Sequence, residues 1–201
     1  MKKIALAFDD GPIPGNTDRI IQALRKHNAD ATFMIWGEHA QTYPEGLVAL
    51  HQNGFEIGSH TYSHPSLPDL DNEEINKQIE KTDSLIYSLI GKTPQMCRPP
   101  YGDIDKRSAR QINKAIVTWS LDSEDWKSHD EQQIYSRMTT LAKDGDICLL
   151  HDLQPATANI LDKILIELEK QDFSFVRVSK LYADKMLPMH LYKSAGDVTA
   201  L

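Results

Sequence analysis

An α/β fold with a parallel sheet is the fold class this sequence predicts, and three observations predict it. Apolar runs of strand length alternate along the chain with amphipathic runs of helical spacing. The strand-like runs, among them residues 4–8, 31–36 and 147–150, are continuously hydrophobic, the pattern of strands covered on both faces. No internal repeat, low-complexity tract or Pro/Gly/Ser linker divides the 201 residues, so they read as a single domain with a weakly periodic surface tail from about 188.

The first strand is Ile4-Ala5-Leu6-Ala7-Phe8. With Lys2-Lys3 before it, it has the outline of an export signal, but Asp9-Asp10 cuts it short of the roughly 7–15 apolar residues such a signal needs. It reads as a buried strand, which leaves two locations open, the cytoplasm or the wall after loss of a leader. A helix follows from the Asn16/Thr17 cap with Ile20, Ile21 and Leu24 on one face. After the strand at 31–36, Pro44 suits the first turn of the next helix, and 55–59 is the third strand. Asp71-Asn72-Glu73-Glu74 opens a long helix with Ile75, Ile79, Ile86 and Leu89 at helical spacing, closed by Gly91. Residues 95–98, 116–120, 147–150 and 174–178 supply further strands. Between them lie helices near 105–115, 130–143 (Asp130 and Gln133 as a capping box) and 157–171. About seven strands result, which fits either a doubly wound open sheet or a closed or incomplete barrel; a full eight-fold barrel typically needs about 250 residues.

Composition excludes several partner classes. With 29 acidic and 22 basic side chains the net charge is −7, which argues against nucleic acid or an anionic membrane surface as a partner. No apolar run approaches the roughly 18 residues of a spanning helix, so membrane insertion is not expected. Cys97 and Cys148 lie within strands and read as buried, reduced packing residues rather than a disulfide framework. Oligomeric state is not legible.

Chemistry-bearing residues recur just after the strands. Asp9-Asp10-Gly11-Pro12 follows the first, His60-Thr61-Tyr62-Ser63-His64 the third, and Arg98-Pro99-Pro100-Tyr101-Gly102 the fourth. Asp122-Ser123-Glu124-Asp125-Trp126 follows the fifth and His151-Asp152 the sixth. Parallel-sheet folds build their sites at the carboxyl ends of strands, so these five segments converge by architecture alone. His60 and His64, four apart, are candidate ligands for one ion, and of two consecutive carboxylates one can join them while the other stays free as a base. Two imidazoles and one carboxylate leave open positions, as in catalytic rather than structural metal sites. Arg98, in a stiff Pro-flanked segment, is placed to grip a carboxylate bidentately. His151 reads as a core imidazole or a proton donor, Asp125 as its orienting partner, and Trp126 as a pocket wall. His27, His39, His51, His129 and His190 default to surface residues.

The five segments, in this order over residues from about 4 to 178, resemble the polysaccharide deacetylases of the NodB-homology type, carbohydrate esterase family four. Their first motif often begins with Thr where this chain has Ala7. The resemblance implies a distorted, incomplete (β/α)7 barrel with parallel strands, and a metal-dependent hydrolase that removes acetyl groups from an acetylated glycan or oligosaccharide. N-acetylglucosamine residues of peptidoglycan or chitin-type chains are the first expectation and O-acetyl groups of xylan the second. It implies Asp9 as general base, Asp10, His60 and His64 as ligands of a divalent metal, and Arg98 as the partner of Asp9. Tyr101 would offer its backbone N–H to the oxyanion, and Asp125 would orient His151 as general acid. Trp126, Leu149 and Pro100 would line the substrate pocket. Zinc is the expected metal, with cobalt, nickel or manganese as alternatives, because two imidazoles and a carboxylate discriminate weakly.

Overall fold

The computed structural model describes residues 1–201, and its elements follow the alternation in the sequence. In chain order they are β1 (Lys2–Asp9), α1 (Asn16–Lys26), β2 (Thr32–Ile35), α2 (Gly37–Thr42), α3 (Pro44–Gln52), β3 (Glu56–Ser59), α4 (Asn72–Ile90) and β4 (Met96–Cys97). Then come α5 (Lys106–Ile112), β5 (Ala115–Val117), β6 (Leu121–Asp122), α6 (Asp125–Ser128), α7 (Glu131–Thr140), β7 (Ile147–His151), α8 (Pro155–Lys170), β8 (Phe173–Phe175), β9 (His190–Ser194) and β10 (Asp197–Ala200). The helix signals hold in part: α1 takes Gly15 rather than Asn16 or Thr17 as its N-cap residue, and Asp130 with Gln133 makes one half of the expected box. Asp71 and Glu74 cap α4 reciprocally and Gly91 ends it with φ 68°, while Asp130 accepts the Gln133 amide at the start of α7. No helix is long and apolar enough to cross a membrane.

The sheet runs β10-β9-β5-β4-β3-β2-β1-β7-β6, with β8 paired to the start of β1. Every pairing is parallel except β9 with β10. The expected strand at 116–120 is in fact two. β5 pairs with β4 and β6 pairs with β7, far apart in the strand order, yet only Thr118, Trp119 and Ser120 join them. Three linking residues reach at most about 14 Å, so the sheet must curl until these two parts face each other across a seam. The result is an incomplete, mostly parallel barrel in a single domain.

Residues 190–200, expected as a surface tail, are a hairpin that fills the seam. Ile116 and Val117 pair with Leu191 and Tyr192, Ser194 bridges to Asp146, and the Ala195 amide donates to Gly145 O at 2.8 Å. Lys193 and Asp197 point outward and only Tyr192 is buried, so this segment lacks the apolar run that marked the other strands.

Alternation along β1 positions the site. Ile4, Leu6 and Phe8 belong to the large core under the helices, whereas Ala5 and Ala7 face the barrel interior with Met34, Met96, Val117 and Tyr192. Asp9 continues the Ala5–Ala7 series, so its carboxylate enters the barrel mouth above two small side chains. In β7, Cys148 and Leu150 face the helices, and Leu149 and His151 fall on the other face. Both cysteines are buried and unpaired.

Candidate active site

Asp9 and His151 are register partners on β1 and β7, which sets their Cα atoms roughly 4.8 Å apart at the same end of the sheet. Around them two groups of side chains assemble.

One group is carried by loops. Oδ1 of Asp9 accepts from Arg98 Nη1 at 2.7 Å, with both side chains buried. The grip is single rather than bidentate, because Arg98 Nη2 donates instead to Thr118 O at 2.9 Å. That leaves Asp9 Oδ2 free, 3.7 Å from His60 Nε2. Asp10 Oδ1 lies 3.4 Å from His60 Nε2 and 3.5 Å from His64 Nε2, and one ligand atom from each of these residues falls within 4.8 Å of the others. Asp10 Oδ1 is buried without a hydrogen-bond partner. The His60 ring donates from Nδ1 to Arg98 O at 2.6 Å, which turns the Nε2 lone pair toward Asp10. An orphaned buried carboxylate oxygen beside two converging imidazole nitrogens fits a divalent cation. Burial pushes the Asp10 carboxyl up, but the neighbouring His60, His151 and His64 outweigh it and hold it at about 2, ionised as a ligand must be. Burial, reinforced by His60, lowers His64, keeping that imidazole neutral.

The loops achieve this in strained backbone. Asp10, Thr61, His64 and Tyr101 all have φ between 61° and 78°, a region L residues rarely adopt, and for β-branched Thr61 a marked outlier. The Tyr101 N–H finds no acceptor within the protein. Its ring is 69% exposed and lies edge-on to His64.

The second group is built on secondary structure. Asp125, fully buried in the first turn of α6, accepts from His151 Nδ1 at 2.6 Å through Oδ1. Its Oδ2 accepts from the His151 amide at 2.8 Å and from Thr157 Oγ1 at 2.5 Å. Burial alone would lower His151; the hydrogen bond and charge of Asp125, with Asp9 and Asp10 behind it, raise it to about 9. Trp126 is about half exposed, with Nε1 on Asp122 Oδ2 at 3.3 Å, while Leu149 and Pro100 are buried beneath the mouth.

Asp152, named in the sequence only as the neighbour of His151, and His39 and Thr157, outside the expected site, also belong to this region. Asp152 is fully buried, accepts from Thr17 Oγ1 at 2.7 Å and packs so tightly on Gly11 that a Cβ there would stand 1.9 Å from its carboxylate. Burial pushes its carboxyl up to about 7. His39, expected on the surface, donates to Asp10 O, and Thr157 completes the Asp125 cage. His27 also leaves the surface: its ring, 8% exposed, bridges Asp162 and Glu169 between α1 and α8.

Residues 1–119 match the sequence pattern of the family described as polysaccharide deacetylase. The chain belongs to that family. It is 39% identical over 180 residues to a peptidoglycan-N-acetylmuramic acid deacetylase, PdaC, of Bacillus subtilis, covering 90% of this chain and 38% of the relative. The first relatives are thus longer proteins of which this polysaccharide deacetylase domain spans about two fifths. A peptidoglycan-N-acetylglucosamine deacetylase of Bacillus cereus is 35% identical, over 90% of this chain and 88% of its own. Among solved structures, a family 4 acetyl xylan esterase from Clostridium thermocellum in complex with a cobalt ion superposes with a TM-score of 0.90 at 30% identity, over 96% of this chain and 98% of its own.

Proposed function

We propose that this domain hydrolyses acetyl groups from a carbohydrate with the help of a divalent metal, N-acetylglucosamine residues in peptidoglycan or chitin-type oligosaccharides being the first substrate class. The observation that carries the reading is the junction of two groups at the ends of the paired strands β1 and β7: an Arg-held carboxylate beside three converging ligand atoms, and an Asp-held imidazole in register with it.

Asp10, His60 and His64 would hold the ion, zinc first, with cobalt, nickel or manganese as alternatives. When bound, such an ion supplies a Lewis acid for the acetyl carbonyl and a more acidic water. The protein's own groups do the rest. Asp9 receives the proton of the attacking water on Oδ2, the oxygen that Arg98 leaves free. The unpaired Tyr101 N–H donates to the carbonyl oxygen as it turns negative; losing one such donor costs on the order of 10²–10³ in rate. His151, protonated at neutral pH, passes its Nε2 proton to the departing amine nitrogen as the C–N bond breaks, leaving acetate and a free amine. Exposed Trp126 and Tyr101 flank the mouth and suit an open groove for a sugar chain.

Removal of O-acetyl groups from xylan is the second reading, supported by the likeness to the cobalt-bound acetyl xylan esterase. Acetate release from chito-oligosaccharides, peptidoglycan fragments and acetylxylan, with zinc or cobalt supplied to chelator-treated protein, separates the two. The expected result is metal-dependent release from the N-acetylated set; release from acetylxylan alone favours the second reading, and none from any substrate overturns both.

A further inference from the structure

Trp36 and the first residues of α2, Gly37 to His39, lie outside all five polar segments, yet they are bonded to both loops that carry the candidate ligands. Toward the Asp10 loop, the Trp36 amide donates to Gly11 O at 3.2 Å and His39 Nδ1 donates to Asp10 O at 2.5 Å. Toward the histidine loop, the amides of Gly37 and Glu38 donate to Thr61 O at 3.0 Å and Tyr62 O at 2.9 Å. Gly37 permits this approach, because a Cβ there would stand 2.6 Å from the Tyr62 ring.

The two imidazoles of the site are held by different means. His60 is fixed by the hydrogen bond from its Nδ1 to Arg98 O. His64 makes no hydrogen bond to a protein group; its ring is stacked on Trp36 at 4.8 Å with an interplanar angle of 26°, and meets the exposed Tyr101 edge-on. Trp36 also packs against His39, ring centroids 4.3 Å apart. A continuous pile of rings therefore connects His64, through Trp36 and His39, to the backbone of Asp10, whose φ of 78° has to be held in place.

We propose that Trp36 and His39 are positioning residues for the cation site, fixing the His64 ring and the Asp10 backbone and so setting how tightly the site binds a divalent metal. The inference rests on the metal reading given under the proposed function. Partners that orient a ligand commonly account for about 10–100-fold in metal affinity, and here one stack serves two ligands of three.

Zinc affinity of chelator-treated protein, measured by competition with a chromophoric chelator, tests it. Trp36→Leu and His39→Leu are each expected to weaken zinc about 10–100-fold. His39→Gln, whose amide can donate to the same carbonyl, is expected to recover most of the loss. The visible absorption of the cobalt-loaded protein should change in Trp36→Leu, since it reports the geometry of His64, and a merely structural residue would leave it unmoved. Affinities of folded Trp36→Leu and His39→Leu equal to the parent, with an unaltered cobalt spectrum, overturn the proposal. Should Trp36→Leu not fold, the partly exposed His39 decides by itself: unchanged affinity in His39→Leu is refuting, loss with recovery in His39→Gln supporting. A parent protein that binds no divalent ion overturns the metal assignment itself, and this inference with it.

Discussion

The two groups of side chains that meet at Asp9 and His151 are stabilised in opposite ways. The Asp10–His60–His64 side is held by loops in left-handed backbone, by ring stacking and by one deep ion pair, Arg98–Asp9. The Asp125–His151 side stands on regular structure, a strand end and two helix starts, and all three acceptor bonds of Asp125 are made by His151 and Thr157. The first has an unsatisfied buried oxygen at its centre and the second has none around Asp125. The orphaned Asp10 oxygen leaves room for a ligand on the first side, whereas every acceptor bond of Asp125 on the second is already made within the protein. The difference matches the work each side is proposed to do.

That contrast can be broken from either side. The largest effect is expected from Asp9→Asn, which removes the proposed base and keeps its shape. Turnover should fall by about 10²–10⁴ while zinc content, measured on the purified protein, stays that of the parent. Substantial remaining turnover would move the base to another residue. Next is Asp125→Asn. The imidazole of His151 is raised to about 9 chiefly against its own burial by Asp125, and the acid acts only while protonated. Activity should therefore hold through neutral pH and fall as pH rises through about 9 in the parent. In the variant the same fall should arrive at lower pH by one unit or more, as about 1.4 kcal/mol of ion-pair support per unit is withdrawn. An alkaline limb that does not move would detach Asp125 from the acid. Smallest is Thr157→Val, which leaves Asp125 Oδ2 with the His151 amide alone. About 1–3 kcal/mol of folding stability should be lost in denaturant unfolding, with activity changed only several-fold.

Much of this architecture is legible from residue order. The continuous apolar runs mark parallel strands, the capping residues Asp71, Asp130 and Gly91 mark helix limits, and the five polar segments that follow strands mark one face of the sheet. Asp9, Asp10, His60, His64, Arg98, Asp125 and His151 were all in view because their chemistry is carried by residue type and by position after a strand. What stayed hidden depends on contacts between segments distant in sequence. The Thr118 carbonyl that takes one prong of Arg98 could belong to any residue, and the Thr157 hydroxyl that cages Asp125 lies 32 residues from it in sequence, so neither contact leaves a mark on local spacing. His39 and Trp36 look like any helix-start residues until the Asp10 and His64 loops fold against them.

The split of residues 116–120 and the fate of residues 190–200 have the same cause. A sequence records that a strand exists by its apolar run, but the curl of a sheet is set by how its two ends meet, and that meeting is made by Tyr192, Ser194 and Ala195 crossing the seam. By itself the sequence determined the alternation, the face of the site and the chemical groups on it, because each follows from local spacing and polarity. Closure of the barrel, the single grip on Asp9 and the packing that aims His64 were decided only in the tertiary structure, because each is a contact between residues far apart in sequence.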